Sequence, residues 1–378
     1  MIYLDWNATT PPAREVIDEM RRVQETAWAN PASVHGEGRR ARAHVERARE
    51  AIAALVGLDA RDVVLTSGGT EANNLALGHA FADRASGSLV LSRIEHPSIV
   101  RAAEQLAERG VVVEWAAVDG SGRVEPAALA EACDRASASA PLRLVALAAV
   151  NHETGVIQPV TEIAEIAHAQ GAKLHCDAVQ AIGRLPASAW EGADLVAVAA
   201  HKIRGPKGVG ALVTRPGTRL RPVLVGGAQE RGIRPGTQDP AACAGFAVAC
   251  ERASESPARY AALAPLRDAF EAALIALGAR SGKRPLRNGD ALRAPHVSNL
   301  SWPTWRGDEL CAALDLEGVA VSAGSACSAG TADLSPVLIA MLGEARARGA
   351  VRVSLGEEST PADLAAARLA WERVLGRG

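Results

Sequence analysis

The chain has 378 residues, 48% of them hydrophobic, and a formal charge of −2. That length favours two domains over one small core. The near-neutral balance excludes both the basic footprint of a nucleic-acid binder and the composition of a disordered chain. Apolar stretches such as residues 142–150 are far shorter than a membrane span. The start, Met1-Ile2-Tyr3-Leu4-Asp5, has no basic region followed by an apolar run, so a cytoplasmic location is expected. The six cysteines (Cys133, Cys176, Cys243, Cys250, Cys311, Cys327) form no CxxC pair and no zinc-ligand spacing. Neither a disulfide framework nor a metal site is expected.

Along the chain, short apolar, β-branched runs alternate with Ala-rich helical ones. Strands are expected at residues 62–66, 88–92, 111–113, 142–150, 173–175, 194–199 and 210–214, and helices at 71–82, 98–108, 125–135 and 160–170. Such alternation implies a mainly parallel seven-stranded sheet sandwiched by helices. Ligands then bind outside the carboxyl ends of its strands. After Pro240 the pattern changes. A helical stretch over 241–276 crosses Pro257 and Pro265 and must break or kink. Strands at 296–300, 319–321 and 350–355 follow, with helices at 308–316, 336–341 and 361–375, which reads as a smaller α+β C-terminal domain. The expected division is a large domain over 15–255 and a small one formed by 1–14 and 256–378.

The chemistry concentrates in residues 174–210. They hold His175-Cys176-Asp177-Ala178-Val179-Gln180, then His201-Lys202, then Gly205-Pro206-Lys207-Gly208. Only four of the 41 Lys and Arg residues are lysine (Lys173, Lys202, Lys207, Lys283). A primary amine can condense with an aldehyde to a Schiff base, and a guanidinium cannot. An Asp upstream of such a Lys suits the ring nitrogen of pyridoxal phosphate. The plain alternative is a surface cation and a strand-end cap.

Thr66-Ser67-Gly68-Gly69-Thr70-Glu71 joins a strand to a helix, where the first amides and the Thr70 hydroxyl can hold an anion. An ordinary βα turn would look the same. Ser281-Gly282-Lys283-Arg284 lacks the Ser/Thr a P-loop needs, and no GxGxxG opens a helix after a strand. His96 follows a strand and precedes Pro97, placed either to stack on a ligand ring or simply to start a helix. Arg352 lies in an alternating strand whose valines take one face. It points either to solvent or, as a planar fork, at a carboxylate. Cys327 sits among small residues in Gly324-Ser325-Ala326-Cys327-Ser328-Ala329-Gly330, a loop that suits a thiol required to travel. The other five cysteines read as buried and inert.

Taken in order, these segments resemble the cysteine desulfurases, pyridoxal-phosphate enzymes of aminotransferase fold type I. The likeness includes Tyr3 to Pro11, Asn30-Pro31-Ala32-Ser33, Thr66 to Asn74, Glu95-His96, Asn151-His152-Glu153-Thr154-Gly155, His175 to Gln180, His201 to Gly208, Gly226 to Thr237 and Gly324-Ser325-Ala326-Cys327. The Gly-Ser-Ala-Cys loop is similar to that of the NifS/IscS branch. The resemblance implies that Lys202 carries pyridoxal 5'-phosphate as a Schiff base and then acts as base at the substrate Cα. It implies that Asp177 keeps the pyridine nitrogen protonated, Gln180 bonds the phenolic oxygen and His96 stacks on the ring. Gly69, Thr70 and His201 would lie at the phosphate, with Thr237 reaching it from the partner of a homodimer. Arg352 would grip the carboxylate of L-cysteine, with Asn30 nearby. Cys327 would accept the sulfur as a persulfide for a sulfur-acceptor or scaffold protein in iron–sulfur or thiolation pathways, leaving L-alanine.

Three positions depart from the family's pattern. Ala199 stands where the family has a Ser two residues before His-Lys, removing one phosphate donor. His152 replaces the second of the family's paired asparagines, which faces cofactor and substrate, so His152 is expected to stack or donate there instead, with consequences for substrate preference. After the last expected helix the sequence reads only to Gly378, so the extension by which housekeeping members dock scaffold proteins is not expected, and the resemblance leaves the acceptor partner open. The rival readings are a selenocysteine lyase or another fold-type-I enzyme, and a non-catalytic sulfur-transfer partner.

Overall fold

The computed structural model describes residues 1–83, 86–280, 282–289, 292–324 and 334–376. The chain opens with a short strand, β1 (Ile2–Tyr3), and two helices, α1 (Arg14–Thr26) and α2 (Gly36–Val56). There follow β2 (Val63–Thr66), α3 (Gly69–Ala80), β3 (Ser88–Ser92), α4 (Pro97–Glu108), β4 (Val112–Ala116), α5 (Pro126–Ser139) and β5 (Leu142–Ala148). Then come α6 (Val160–Ala169), β6 (Lys173–Asp177), β7 (Leu195–Ala199), β8 (Gly210–Thr214) and α7 (Pro240–Ala253). The C-terminal part holds α8 (Ser256–Ala261), α9 (Ala264–Arg280), β9 (Leu286–Arg287), β10 (Val297–Ser301), α10 (Gly307–Leu316) and β11 (Val319–Ala320). It ends with α11 (Pro336–Leu342), α12 (Glu344–Arg348), β12 (Ala350–Ser354) and α13 (Pro361–Gly376).

Seven strands form the central sheet in the order β2-β8-β7-β6-β5-β3-β4. Strands β3 to β7 pair in parallel, while β8 runs against both β7 and β2. Six strands therefore deliver their carboxyl ends to one edge. Every residue of β7 and β8 is buried, as expected of strands covered on both faces. One apolar layer includes Val45, Val145, Leu174 and Phe246, and the opposite one Leu75, Leu89, Leu144 and Leu212. A separate core, including Leu4, Phe270, Leu300, Trp302, Val353 and Trp371, lies under the C-terminal elements.

Proline placement explains the break in the expected long helix. Pro257 and Pro265 each fall in the first turn of a new helix, α8 and α9, where a missing N–H leaves no bond unmade. The sequence reading assigns no element to α1 and α2. The buried face of α2 intersperses Val45, Ile52 and Val56 with Gly38, three alanines (Ala41, Ala48, Ala53) and Arg49, which dilutes its apolar stripe. Strand β6 extends beyond the expected 173–175, because Cys176 and Asp177 keep pairing with Val196 and Ala197. Asp177 thereby becomes the last residue of its strand.

The N-terminal segment links the two parts. β1 pairs in parallel with β11, and residues 5–13 then cross to the sheet edge, where Thr10 N donates to His201 O at 3.0 Å. No helix among the described residues is long and apolar enough to cross a membrane.

Candidate active site

A cleft of 450 Å³ opens where β2, β5, β6 and β7 end. Gly68 takes φ +153°, a conformation that favours glycine, and the turn it makes starts α3 without a side-chain cap. A Cβ on Gly69 would come within 2.8 Å of Val179, so the helix start is seated directly against the turn that follows Asp177. Ser67, Gly68, Gly69 and Thr70 line the cleft, leaving the first helical amides as an anion cradle.

Asp177 closes β6, 7% exposed, with Oδ1 accepting from Val179 N at 3.0 Å and Oδ2 from Asn73 Nδ2 at 2.8 Å. Lys202 ends the 3-10 turn that follows β7, and its Nζ donates to the carbonyls of Asn7 and Ala8. Gln180 Nε2 donates to Asn7 O at 3.0 Å, while its Oε1 accepts from the fully buried Arg184. Arg184 also donates to Asn7 Oδ1 and to the carbonyls of Trp6 and Lys202. One buried guanidinium thus ties the N-terminal strap to the lysine turn.

The histidines of the cleft are held neutral by burial. His96 caps α4 through Nδ1, which accepts from Ser98 N at 3.1 Å and faces Ser98 Oγ at 2.7 Å. Its proton therefore resides on Nε2. His152 meets it edge-on with centroids 5.2 Å apart, and burial beside His96 and Arg352 pushes His152 well below its ordinary pKa. His201 is pushed down to about 3 by burial and the nearby lysines. Its Nδ1 lies 3.1 Å from Thr9 Oγ1.

Eight of the residues expected from the sequence converge here: Gly69, Thr70, His96, His152, Asp177, Gln180, His201 and Lys202 all line the cleft. Ala199 lines it as well. Asn30 and Thr237 are exposed and lie outside its lining in this chain. Cys327 lies outside the described residues. The plain reading of Arg352 as a solvent-facing strand residue is corrected: it is 2% exposed, with Nη2 2.7 Å from Asp5 and Nη1 donating to His152 O at 2.9 Å. The valines of β12 pack into the C-terminal core. On the other side the Asp5 carboxylate and the His152 carbonyl meet Arg352, leaving it no solvent side. Sequence reading missed Asn7, Asn73 and Arg184 as organisers of the site. The first two stand inside motifs already singled out, but no spacing rule shows what they touch.

Fold and cleft together define an α/β enzyme scaffold with a lysine, a carboxylate and an anion cradle meeting at one sheet edge. A family model for aminotransferase class V matches residues 2–366. The cysteine desulfurase IscS of Dictyoglomus turgidum is 36% identical over 379 residues, spanning 99% of this chain and 94% of the relative. Among solved structures, a NifS-like protein matches with TM-score 0.90 and 31% identity over 100% of both chains. SspA in complex with cysteine matches with TM-score 0.80 and 30% identity, covering 95% of this chain and 100% of its own. The chain belongs to the aminotransferase class V family.

Burial of so many imidazoles sets a pH dependence. His79 and His175 are pushed down to about 4 and His201 to about 3, each first by burial, and His152 and His296 fall well below the ordinary value. Below about pH 6.5 the unfolded chain takes up protons that the folded chain refuses, so stability rises with pH in that window. Glu95, pushed up to about 8 by burial, and Glu153, also raised, act the other way, because the folded chain retains their protons. The histidines outnumber these carboxyls. The melting temperature is expected to fall as pH is lowered from about 6.5 to about 4.5; a constant or rising value would contradict this assignment.

Proposed function

We propose that the chain is a homodimeric, pyridoxal 5'-phosphate-dependent cysteine desulfurase that converts L-cysteine to L-alanine and takes the sulfur onto Cys327. The observation that carries this reading is the convergence of Lys202, Asp177 and the uncapped start of α3 on one cleft. The relatives support it by name, and one related structure holds cysteine.

The residues present fit the cofactor. The amides from Gly69 onward, with the Thr70 hydroxyl and His201, would hold its phosphate. Asp177 would keep a proton on the ring nitrogen, and Gln180, its carbonyl oxygen engaged by Arg184, would offer N–H to the phenolic oxygen. His96 would stack on the ring, with His152 set against it at the substrate side. Thr237, exposed in this chain, would reach the phosphate of the partner's site. Exposed Trp28, Val34 and Val225 supply apolar surface for that pairing.

When bound, the cofactor supplies an electron sink that stabilises negative charge at the substrate Cα. Lys202 would hold it covalently and, once released, move a proton at Cα through Nζ; the carbonyls of Asn7 and Ala8 give that amine a resting place. Arg352, whose Nε has no partner among the described residues, would receive the substrate carboxylate, with Asn30 nearby. Cys327, as thiolate, would bond to the substrate sulfur while the C–S bond breaks. The bonding pair passes to the substrate, which gains a proton and leaves as alanine. The persulfide left on Cys327 would pass to an acceptor protein.

Cys327→Ser should abolish sulfur release from L-cysteine while leaving the absorption of the bound cofactor intact. Activity surviving that change would refute the persulfide route. Ala199 supplies no hydroxyl at a point whose Cβ lies 3.8 Å from a Cβ built on Gly69, beside the anion cradle. Ala199→Ser should tighten cofactor binding about tenfold, the effect of one hydrogen bond to a charged group. Equilibrium titration checks this, and an unchanged or weaker dissociation constant would contradict it.

A further inference from the structure

His175 and Asp177 stand two residues apart on β6, so their side chains leave the same face of the strand. Asn73, in the second turn of α3 and 1% exposed, bridges them. Its Nδ2 donates to Asp177 Oδ2 at 2.8 Å and to Ser98 Oγ at 2.9 Å, while its Oδ1 lies 2.9 Å from His175 Nε2. The reversed amide would set an oxygen against the Asp177 carboxylate. Only the orientation found gives every atom a complementary partner.

An acceptor oxygen facing Nε2 requires His175 to carry its proton there. Burial holds that imidazole neutral, with its pKa down at about 4, so the ring has one proton and presents it to Asn73. Without the Asn73 donor, Asp177 would keep only the Val179 amide among the described residues. Asn73 and Asp177 line the cleft, and His175 does not.

We propose that His175 and Asn73 are positioning residues for Asp177: the Nε2–H of His175 fixes the Asn73 amide, and the amide aims and charges the carboxylate that faces the ring nitrogen of the bound cofactor. This rests on the reading of the cleft as a pyridoxal-phosphate site. The histidine acts at second hand, through a hydrogen bond, without touching the ring. Its loss frees the amide to turn, which sets oxygen against oxygen and weakens the hold of Asp177 on the ring proton.

The test uses the holoenzyme with three substitutions: His175→Phe, which keeps a ring and removes the donor; His175→Gln, which restores an N–H at similar reach; and Asn73→Asp, which keeps the shape and removes the donor to Asp177. The visible absorption maximum of bound pyridoxal phosphate, its dissociation constant and the melting temperature are measured for each. His175→Phe and Asn73→Asp should shift the absorption band and weaken cofactor binding by about tenfold, the scale of one lost charged hydrogen bond. His175→Gln should return both readings toward those of the unsubstituted protein. Should His175→Phe fail to fold, Asn73→Asp carries the test. An unshifted band with unchanged affinity in His175→Phe or Asn73→Asp would overturn the proposal, as would a His175→Gln variant as impaired as His175→Phe. An unsubstituted protein that binds no pyridoxal phosphate would instead overturn the cofactor reading itself.

Discussion

The register between β6 and β7 is the constraint on which the site depends. Asp177 pairs with Ala197, so β7 runs two residues further, to Ala199, before a 3-10 turn swings Lys202 back over the cleft. A slip of one residue would reverse every side chain on β6 and bury Asp177 in the wrong layer. The register is secured because both strands are buried on both faces, where every backbone group must find its partner within the sheet.

A second layer of organisation is polar and buried. The N-terminal strap enters the site through Asn7, which accepts from Gln180, Lys202 and Arg184 and lies 2.8 Å from His296. Such networks are worth having only when nearly every member is satisfied. Here a neutral imidazole repeatedly stands where a charge would be costly: His96, His152, His175 and His201 all have lowered pKa values because burial disfavours their charged forms. The positive charge near the cleft is carried by Lys202, Lys207, Arg184 and Arg352. Arg352 is met by Asp5, whereas Arg184 relies on carbonyl oxygens and on the face of Tyr260.

Much of this was legible beforehand, for identifiable reasons. Strand β8 and the expected strand 88–92 match to the residue, because their apolar runs are bounded by glycine or polar turns. Pro257 and Pro265 marked the breaks between α7, α8 and α9. Lys202 and Asp177 stood out by chemistry, since few lysines occur and one follows a strand-end carboxylate. Less was visible where tertiary contact overrides pattern. The alternation around Arg352 suggested a solvent face, yet a segment more than three hundred residues earlier covers it. Asn73 and Arg184 look like surface polar residues until the turn and helix that carry them are folded against β6 and the strap. Thr237 and Asn30 are exposed and lie away from the cleft lining, so nothing in this chain's own packing displays what they do.

The central claim is that Lys202 holds an aldehyde cofactor in the same cleft where Asp177 faces its ring nitrogen. Borohydride reduction of the cofactor-loaded protein, followed by mass spectrometry of its peptides, tests this most directly. The account predicts a reduced pyridoxyl adduct on Lys202 and on no other lysine. A label on Lys173, Lys207 or Lys283, or none on protein saturated with pyridoxal phosphate, would contradict it.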